Sequence, residues 1–448
     1  MKRGFYIVMA AQALSSLADN ALFIAAIALI QQLQGPDWMA PMMKWFFAAS
    51  YVLLAAFVGA FSDSFPKGWV MFLTNAIKVS GCLLMFFYAL FGLDQSAQVV
   101  LVCVAYGLVG IGAAAYSPAK YGIVTEMLPP LDLVKGNGWI EGLTVLSIIF
   151  GTVLGGVLVS PSVSSWLLSH PYINNLVHTP AEAAILVITV VYALAAACNL
   201  MIPATHIKYP AQQKNPAKLI KAFAGYVKIL WKDKIGQISL AVTTLFWGAG
   251  ATLQLIVIEW GRNQLGYRLD QASILMGITA LGTVVGSIFA SRVPLRSALG
   301  VLPLGVVMGL TVLLMPLIDG SWTIHIFGAS IPWAAYSLLI IIGLTSGYFV
   351  VPMNALLQHR GHVLLSAGHS IAVQNFNEQL NILLMVAVYT LMLWLNMSIG
   401  VIIAIFGILV AALMLLIIHW SKLNLRHDPT LIEQIGQDGH GSALKDCH

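Results

Sequence analysis

Four charged side chains lie inside long apolar stretches of this sequence, namely Asp19, Lys78, Glu141 and Glu378. An ionised group among apolar residues in a membrane costs roughly 3 kcal/mol or more unless it faces a cavity or a partner. Each of the four therefore either binds a polar group inside the protein or hydrogen-bonds a neighbouring helix. From the residues alone, both interpretations stay open.

Amide side chains accompany two of these acids. Asn20 follows Asp19 directly, and the amides near Glu378 are Gln374, Asn375, Asn377, Gln379 and Asn381. So many amides do not suit a helix face that is turned toward lipid. They predict a polar cavity lined by Asp19, Asn20, Glu378 and these amides.

The elements that must position these groups are membrane-spanning helices. Of the 448 residues, 59% are apolar and only 9% are charged, whereas a soluble domain carries roughly 25% charged residues. A span needs about 20 mostly apolar residues. Twelve runs meet this requirement, near residues 5–30, 43–63, 69–92, 98–119, 137–160, 182–203, 237–259, 271–291, 297–317, 332–354, 370–392 and 396–419.

A lysine-rich polar stretch separates the first six runs from the last six. It predicts an N-terminal half (1–203), a basic cytoplasmic linker (204–236), a C-terminal half (237–419) and a polar cytoplasmic tail (420–448). We expect the tail to be unstructured, because it is polar and mixed in charge.

Weak repetition relates the two halves. The glycines of 107–110 precede Pro118 much as the glycines of 343–347 precede Pro352. Two pseudo-symmetric halves are typical of transporters in which the halves rock about a site near the middle of the membrane. The predicted fold class is an all-α membrane protein with twelve transmembrane helices in two six-helix halves.

The distribution of basic residues predicts that both termini are cytoplasmic. With the N-terminus inside, eighteen of the 22 Lys and Arg residues fall on the inner face, and only Lys44, Arg262 and Arg268 fall on the outer face. The first apolar run is too long for a signal peptide, so we expect it to remain as the first span.

Metal, cofactor and nucleotide chemistry find little support in the sequence. The four cysteines are Cys82, Cys103, Cys198 and Cys447. Their spacing matches neither a disulfide framework nor a metal site. No glycine-rich phosphate loop is present either. We therefore expect no metal, no cofactor, no catalytic residue and no nucleic-acid partner.

The loop after the second run carries Gly59, Asp63 and Lys67 at intervals of four residues. This pattern resembles the cytoplasmic motif of the major facilitator superfamily. By that resemblance the glycine permits close helix approach, and the acid and base form a conformational latch with helix ends of the opposite half. Ser64 and Pro66 depart from the usual basic and glycine positions, and a plain charged loop is the alternative.

A longer resemblance centres on residues 107–141. An apolar helix there reaches the stretch from Tyr116 to Ile123, a short basic turn follows, and a second apolar run begins after Pro129-Pro130. Further stretches of the same kind lie at 19–22, 60–67, 245–250, 350–358 and 371–375. Together they resemble the lysophospholipid transporter family LplT, within the major facilitator superfamily, over most of the chain.

The resemblance implies a function. Members of this family move lysophosphatidylethanolamine and lysophosphatidylglycerol from the outer to the inner leaflet of the bacterial inner membrane. A cytoplasmic acyltransferase, which is also an acyl-carrier-protein synthetase, then restores the missing acyl chain. We expect this partner to be a separate polypeptide, the phospholipid bilayer to be the medium, and the protein to be a monomer.

The resemblance also implies site residues. Asp19 and Glu378 match the intramembrane acids of the family, whereas Gln254 stands where relatives carry an arginine. If that arginine binds the lipid phosphate, Lys78 and Lys120 are the available substitutes in this chain. The predicted substrate-binding set is Asp19, Asn20, Lys78, Lys120, Glu141, Gln254, Asn375 and Glu378.

Three other functions compete with lipid transport. A proton-coupled drug or metabolite exporter of the same superfamily would use the buried acids equally well. A membrane-embedded lipid acyltransferase would need a His followed five positions later by Asp, and this chain has no such pair. A purely structural scaffold is hard to reconcile with several costly intramembrane charges.

Overall fold

The computed structural model describes residues 3–128, 133–169, 177–203, 205, 213, 215–318, 320–326, 329–365, 367–431 and 435. Within this part of the chain, twelve helical segments are long and apolar enough to cross a membrane. The twelve predicted spans are thereby confirmed, and so is the all-α membrane fold class.

The α-helices of the described residues follow one another with short connections. They are α1 (Arg3–Gln32), α2 (Met39–Ser64), α3 (Lys67–Phe86), α4 (Gln95–Met127), α5 (Leu133–Val159), α6 (Pro161–Ser169), α7 (Pro180–Leu200), α8 (Pro216–Lys232), α9 (Gly236–Asn263), α10 (Leu269–Ala290), α11 (Leu302–Val312), α12 (Trp333–Leu364), α13 (Ala367–Trp394) and α14 (Ile399–His427). The ninth span is composite, because 3-10 turns at Leu295–Val301 and Met315–Leu317 flank α11. A short antiparallel hairpin of β1 (Ile324–Ile326) and β2 (Ala329–Ile331), with Ile324 opposite Ile331, was not predicted.

Two compact units divide the chain. The first contains Met1–Ile220, Arg268–Gly277 and Val386–Trp394; the second contains Lys221–Tyr267, Ile278–Met385 and the chain from Leu395 onward. The same pairs of spans pack in each half. Spans three and six pack as α3 with α7 and as α11 with α14, and spans one and six pack as α1 with α7 and as α9 with α14.

Glycines repeat this correspondence at the crossing of the second and fourth spans. A Cβ added at Gly110 of α4 would lie 2.8 Å from the Cα of Phe47 in α2. In the second half, a Cβ at Gly343 or Gly347 of α12 would collide with the backbone oxygens of Thr279 and Thr283 in α10. Small residues that let helix backbones approach are typical of helix crossings in membranes. The predicted relation between the two glycine stretches therefore has a structural basis.

The predicted end of the fourth span is wrong. The helix does not stop near residue 119, because α4 continues without interruption to Met127 and carries Pro118 inside it. The predicted break at Pro129-Pro130 lies outside the described residues. The extension is amphipathic, and Ala119, Ile123 and Val124 are buried in a cluster with residues of α1 and α3. Packing of this face keeps the segment helical where its charge suggested a break.

The predicted linker and tail also contain more structure than their polarity suggested. In the linker, α8 packs its apolar side in a cluster with Leu240, Leu357 and Val373, while its lysines are exposed. In the tail, α14 continues to His427, and the side chains of Leu431 and Ile435 are buried. The expectation of an unstructured tail is wrong for this segment, and residues 436–448 lie outside the described residues.

Candidate functional site

Two charged residues of the predicted site form an ion pair in the first unit. Asp19 of α1 and Lys78 of α3 meet with the lysine Nζ 2.8 Å from Oδ1 and 2.8 Å from Oδ2 of the carboxylate. The side chain of Lys78 is 1% exposed, and that of Asp19 is 19% exposed. Asp19 is therefore the accessible member of the pair, and Lys78 is its buried counter-ion.

Neighbouring hydroxyl groups complete the pair. Tyr192 of α7 donates its hydroxyl to Asp19 Oδ1 at 2.6 Å. Lys78 Nζ also donates to Ser15 Oγ at 2.9 Å, and Ser15 in turn donates to Asn75 Oδ1 at 2.8 Å. The Asp19–Lys78 cluster, which we define as these five residues, thus joins three helices through charge-assisted hydrogen bonds.

Aromatic rings close the cluster around the ammonium group. Lys78 Nζ lies 5.3 Å from the ring centroid of Tyr116 and 5.5 Å from that of Tyr192. Such distances allow a favourable cation–π interaction, which is strongest where water is excluded. Because the ammonium is surrounded on these sides, a ligand from outside reaches Asp19 more readily than it reaches Lys78.

A glycine on α4 makes room for the lysine. A Cβ at Gly112 would lie 2.6 Å from the backbone oxygen of Thr74 and 2.8 Å from Cγ of Lys78. Helices α3 and α4 can therefore approach closely where Lys78 extends toward α1. Gly112 of α4, which has no side chain, thus leaves the space that the Lys78 side chain occupies.

This arrangement bears on the prediction that Lys78 binds the lipid phosphate. In the structure Lys78 forms an ion pair with Asp19, and the Lys78 side chain is almost completely buried. A direct contact with a phosphate would require the ion pair to open first. The phosphate role of Lys78 stays a prediction with that condition attached.

Two other predicted site residues of the first unit, Asn20 and Lys120, contact residues near them in sequence. Asn20 donates its amide to the backbone oxygen of Ser16 at 2.9 Å, one turn earlier in α1. Lys120 is 8% exposed, and its Nζ lies 4.5 Å from the ring centroid of Tyr121. Neither contact joins these residues to the Asp19–Lys78 cluster. Glu141 falls on α5, but its side chain lies outside the described residues.

A second polar cluster surrounds Glu378 in the second unit. Gln374, one turn earlier in α13, donates its amide to Glu378 Oε1 at 2.7 Å and to Asn354 Oδ1 of α12 at 3.2 Å. Glu378 is 7% exposed. The Glu378 cluster, defined as these three residues, thus supports its carboxylate with an amide donor.

Further amides of α13 bind neighbouring elements. Trp231 of α8 donates its indole N–H to Asn377 Oδ1 at 3.0 Å. Asn381 donates to the backbone oxygen of Thr244 in α9 at 2.9 Å. The absence of a side chain at Gly248 leaves space for the Asn381 amide, since a Cβ there would collide with it. These amides therefore hold helices together, which was the structural alternative for them.

The two remaining predicted site residues lie in the same unit. Gln254 is on α9 and is 7% exposed, so this position is a buried one. Asn375 is on α13 and is half-buried, next to Gln374 in sequence. Both Gln254 and Asn375 interact with other residues.

In the first unit, the acid and the base of the predicted latch contact each other. Lys67 forms an ion pair with Asp63, and its Nζ donates to the backbone oxygen of Ser62 at 3.0 Å. Among the described residues, no heavy atom beyond the helix of Gly59 lies within 4 Å of a Cβ built on it. The close approach expected at this glycine is therefore not seen, and the latch with the opposite half stays a prediction.

Sequence reasoning missed several polar partners. Tyr192 and Ser15 lie in apolar runs and had no charge to mark them. Arg360 of α12 and Asp233 form a bidentate pair at 3.0 and 2.5 Å, which nothing in the sequence singled out. Only an alternation of polar residues at helical spacing could have marked Ser15 as facing Asp19.

Known proteins give this geometry a context. The family model of the Major Facilitator Superfamily matches residues 8–380. The lysophospholipid transporter LplT of Pectobacterium carotovorum is 37% identical over 408 residues, covering 89% of each chain. The LplT of Serratia proteamaculans is 39% identical over 394 residues, covering 87% of this chain and 89% of the relative, and that of Yersinia enterocolitica is 39% identical over 402 residues, covering 89% of each.

The chain belongs to the LplT family of the major facilitator superfamily.

Solved structures agree on the fold of this LplT family member. A bacterial homologue of the human lysosomal transporter Spinster, inward-facing and unoccupied, aligns with a TM-score of 0.62 at 14% identity, covering 95% of this chain and 99% of that one. A bacterial homologue of the iron transporter ferroportin, outward-facing, aligns with a TM-score of 0.62 at 14% identity, covering 94% and 100%. At these identities the likeness concerns the fold alone. The LplT family member is therefore a multi-pass membrane protein with the architecture of a transporter.

Proposed function

We propose that this protein moves lysophosphatidylethanolamine and lysophosphatidylglycerol from the outer to the inner leaflet of a bacterial inner membrane. The observation that carries the proposal is the Asp19–Lys78 cluster, a set of ionised and hydroxyl groups held among apolar helices in an LplT family member. Such groups are costly inside a membrane and mark the path of a polar substrate.

The chemistry of the substrate explains the need for such groups. A lysophospholipid has one acyl chain, which is soluble in lipid, and a charged head group, which is not. The protein therefore has to shelter only the head group, while the chain stays in the bilayer. The ethanolamine ammonium would bind Asp19, the accessible member of the ion pair, or Glu378.

Orientation and location complete the proposal. The excess of Lys and Arg on one side favours cytoplasmic N- and C-termini. A lipid delivered to the inner leaflet would then reach a separate cytoplasmic acyltransferase, also an acyl-carrier-protein synthetase, that restores the second acyl chain. The chain itself would act as a monomer and catalyse no acyl transfer, so purified protein supplied with an acyl donor should yield no diacyl product.

The direct test follows labelled lysophosphatidylethanolamine from the outer to the inner leaflet in spheroplasts that lack their own transporter. Supplying this chain should restore movement, and Asp19→Ala should abolish most of it while the protein still inserts. Asp94→Ala is the matched control, because Asp94 is an exposed acid between spans. Wild-type flux in Asp19→Ala would contradict the assignment of the site.

The exporter alternative is tested in the same spheroplasts. Collapse of the proton gradient with an ionophore should leave lipid movement largely intact if the head group is the only charge transported. No lipid movement with well-inserted protein, together with gradient-dependent efflux of a drug or metabolite, would instead favour the exporter. The first suspect for such a change of substrate would be Gln254, where relatives carry an arginine.

A further inference from the structure

Two buried polar atoms on α9 have no hydrogen-bond partner among the described residues. They are Oγ1 of Thr244 and Nε1 of Trp247. The residues are three apart in one helix, so they lie on the same face, one turn from each other. Buried polar atoms are nearly always paired in native proteins, and an unpaired one calls for an explanation.

Other donors of the same types on α9 are paired. Trp260, on the same helix, donates its indole N–H to the backbone oxygen of Met315 at 3.1 Å. The hydroxyl of Thr243, next to Thr244, donates to the backbone oxygen of Leu240 at 3.2 Å. Thr244 and Trp247 thus differ from residues of the same type on the same helix.

A polar side chain of α13, Asn381, lies beside this part of α9. Asn381 of α13 donates to the backbone oxygen of Thr244 at 2.9 Å, and Gly248 leaves space beside it. Glu378 lies one turn from Asn381 on the same helix, where Gln374 donates to its carboxylate. A carboxylate thus lies one helical turn from the amide that contacts Thr244.

The chemistry of the orphan atoms specifies what they can bind. An indole N–H is a donor only, and a hydroxyl donates as well as accepts. Their partner must therefore bring oxygen acceptors, and a phosphodiester offers two anionic ones. In an ethanolamine head group two carbons separate the phosphate from the ammonium, which suits a carboxylate one helical turn away.

We propose that Trp247 Nε1 and Thr244 Oγ1 donate hydrogen bonds to the phosphodiester of the transported lipid. This inference rests on the proposed function and adds a phosphate site that contains no cation. It explains how a chain with Gln254, in place of a basic residue, still recognises the phosphate. The two residues recognise the phosphate group itself, and the two kinds of head group share it.

The test uses purified full-length protein in detergent, titrated with lysophosphatidylethanolamine, lysophosphatidylglycerol and a monoacylglycerol of the same chain length. Thr244→Val keeps the shape and removes the donor, and Trp247→Phe keeps an aromatic ring and removes the donor. Each should weaken binding of both phospholipids by about tenfold, since hydrogen bonds to charged groups are the strong ones. Binding of the monoacylglycerol, which has no phosphate, should not change.

Thermal stability of the unliganded protein separates binding from folding. Thr244→Val removes an unpaired donor without a loss of volume, so the melting temperature should stay unchanged or rise. Trp247→Phe also removes ring volume, which costs some stability. The matched controls are Trp260→Phe and Thr243→Val, whose donors are paired; Trp260→Phe should lower the melting temperature more than Trp247→Phe does, and both controls should leave lipid affinity unchanged.

Three results would overturn the inference. Wild-type affinity in both Trp247→Phe and Thr244→Val would do so, as would an equal loss of monoacylglycerol binding. A lower melting temperature of Thr244→Val with unchanged affinity would show that its donor serves the fold. If the wild-type protein bound neither phospholipid, the proposed function would fail together with this inference, whereas normal wild-type binding confines the failure to the phosphate site.

Discussion

The two halves of the protein stabilise their buried carboxylates in different ways. In the Asp19–Lys78 cluster the negative charge meets a full positive charge at 2.8 Å. In the Glu378 cluster the carboxylate receives an amide from Gln374 at 2.7 Å. The first arrangement brings a full positive charge to the carboxylate, and the second brings the dipole of a side-chain amide.

This difference bears on the proposed transport. A closed ion pair has little net charge, so under the proposed function a head group that engages Asp19 must compete with Lys78.

The largest expected effect comes from removing one member of the ion pair. Asp19→Asn leaves Lys78 buried without its counter-ion, so the free energy of unfolding should fall by about 3–5 kcal/mol. Lys78→Met should cost less, because Asp19 keeps partial exposure. The double variant should recover most of the stability and none of the lipid movement, as measured by thermal unfolding and by flux. A double variant as unstable as Asp19→Asn would show that the pair does not account for the loss.

A smaller effect should follow from filling the space beside Lys78. In Gly112→Ala the new methyl group would lie 2.6 Å from the backbone oxygen of Thr74. Because a backbone cannot move as a side chain does, α3 and α4 must separate, at a cost of about 1–3 kcal/mol. Thermal unfolding measures this loss. Gly142→Ala is the control, since nothing described lies within 4 Å of a Cβ there, and equal melting temperatures for the two variants would refute the tight crossing.

The smallest effect is expected at Glu378. Glu378→Gln keeps the shape and an acceptor oxygen for Gln374, so unfolding should become easier by no more than about 1 kcal/mol. Lipid movement should nevertheless fall, because the charge offered to an ammonium is lost. Melting temperature and flux measured on the same samples test both statements. A loss of stability as large as in Asp19→Asn would mean that Glu378 is compensated as strongly as Asp19, and the contrast between the halves would disappear.

Much of the fold and part of the site could be predicted from the sequence. In lipid each backbone group must bond within its own helix, so the length of an apolar run suffices to locate a span. The twelve runs follow from this rule. The relation between Pro118 and Pro352 came from repetition in the sequence, and each proline lies inside the fourth membrane-spanning helix of its half. Asp19, Lys78 and Glu378 were found for a related reason, because a charge in an apolar run is conspicuous.

Other features could not be predicted, because polarity is a poor guide outside the spans. The segment 120–127 is helical because one of its faces packs on α1 and α3, and α8 is helical because its apolar side packs in a cluster with Leu357 and Val373. Both depend on neighbours that are distant in sequence. Local charge suggested a turn in the first case and a plain linker in the second.

The sequence by itself determined that this protein spans a membrane, that its two halves repeat, and which residues bring charge into the apolar interior. Only the tertiary structure decided which of those residues meet. Asp19 lies 59 residues from Lys78 and 173 residues from Tyr192, and Thr244 and Trp247 gained significance only because the donors near them are paired. The physical reason is that hydrophobic run length acts within a single helix, whereas hydrogen bonds and ion pairs in a bundle depend on how different helices cross.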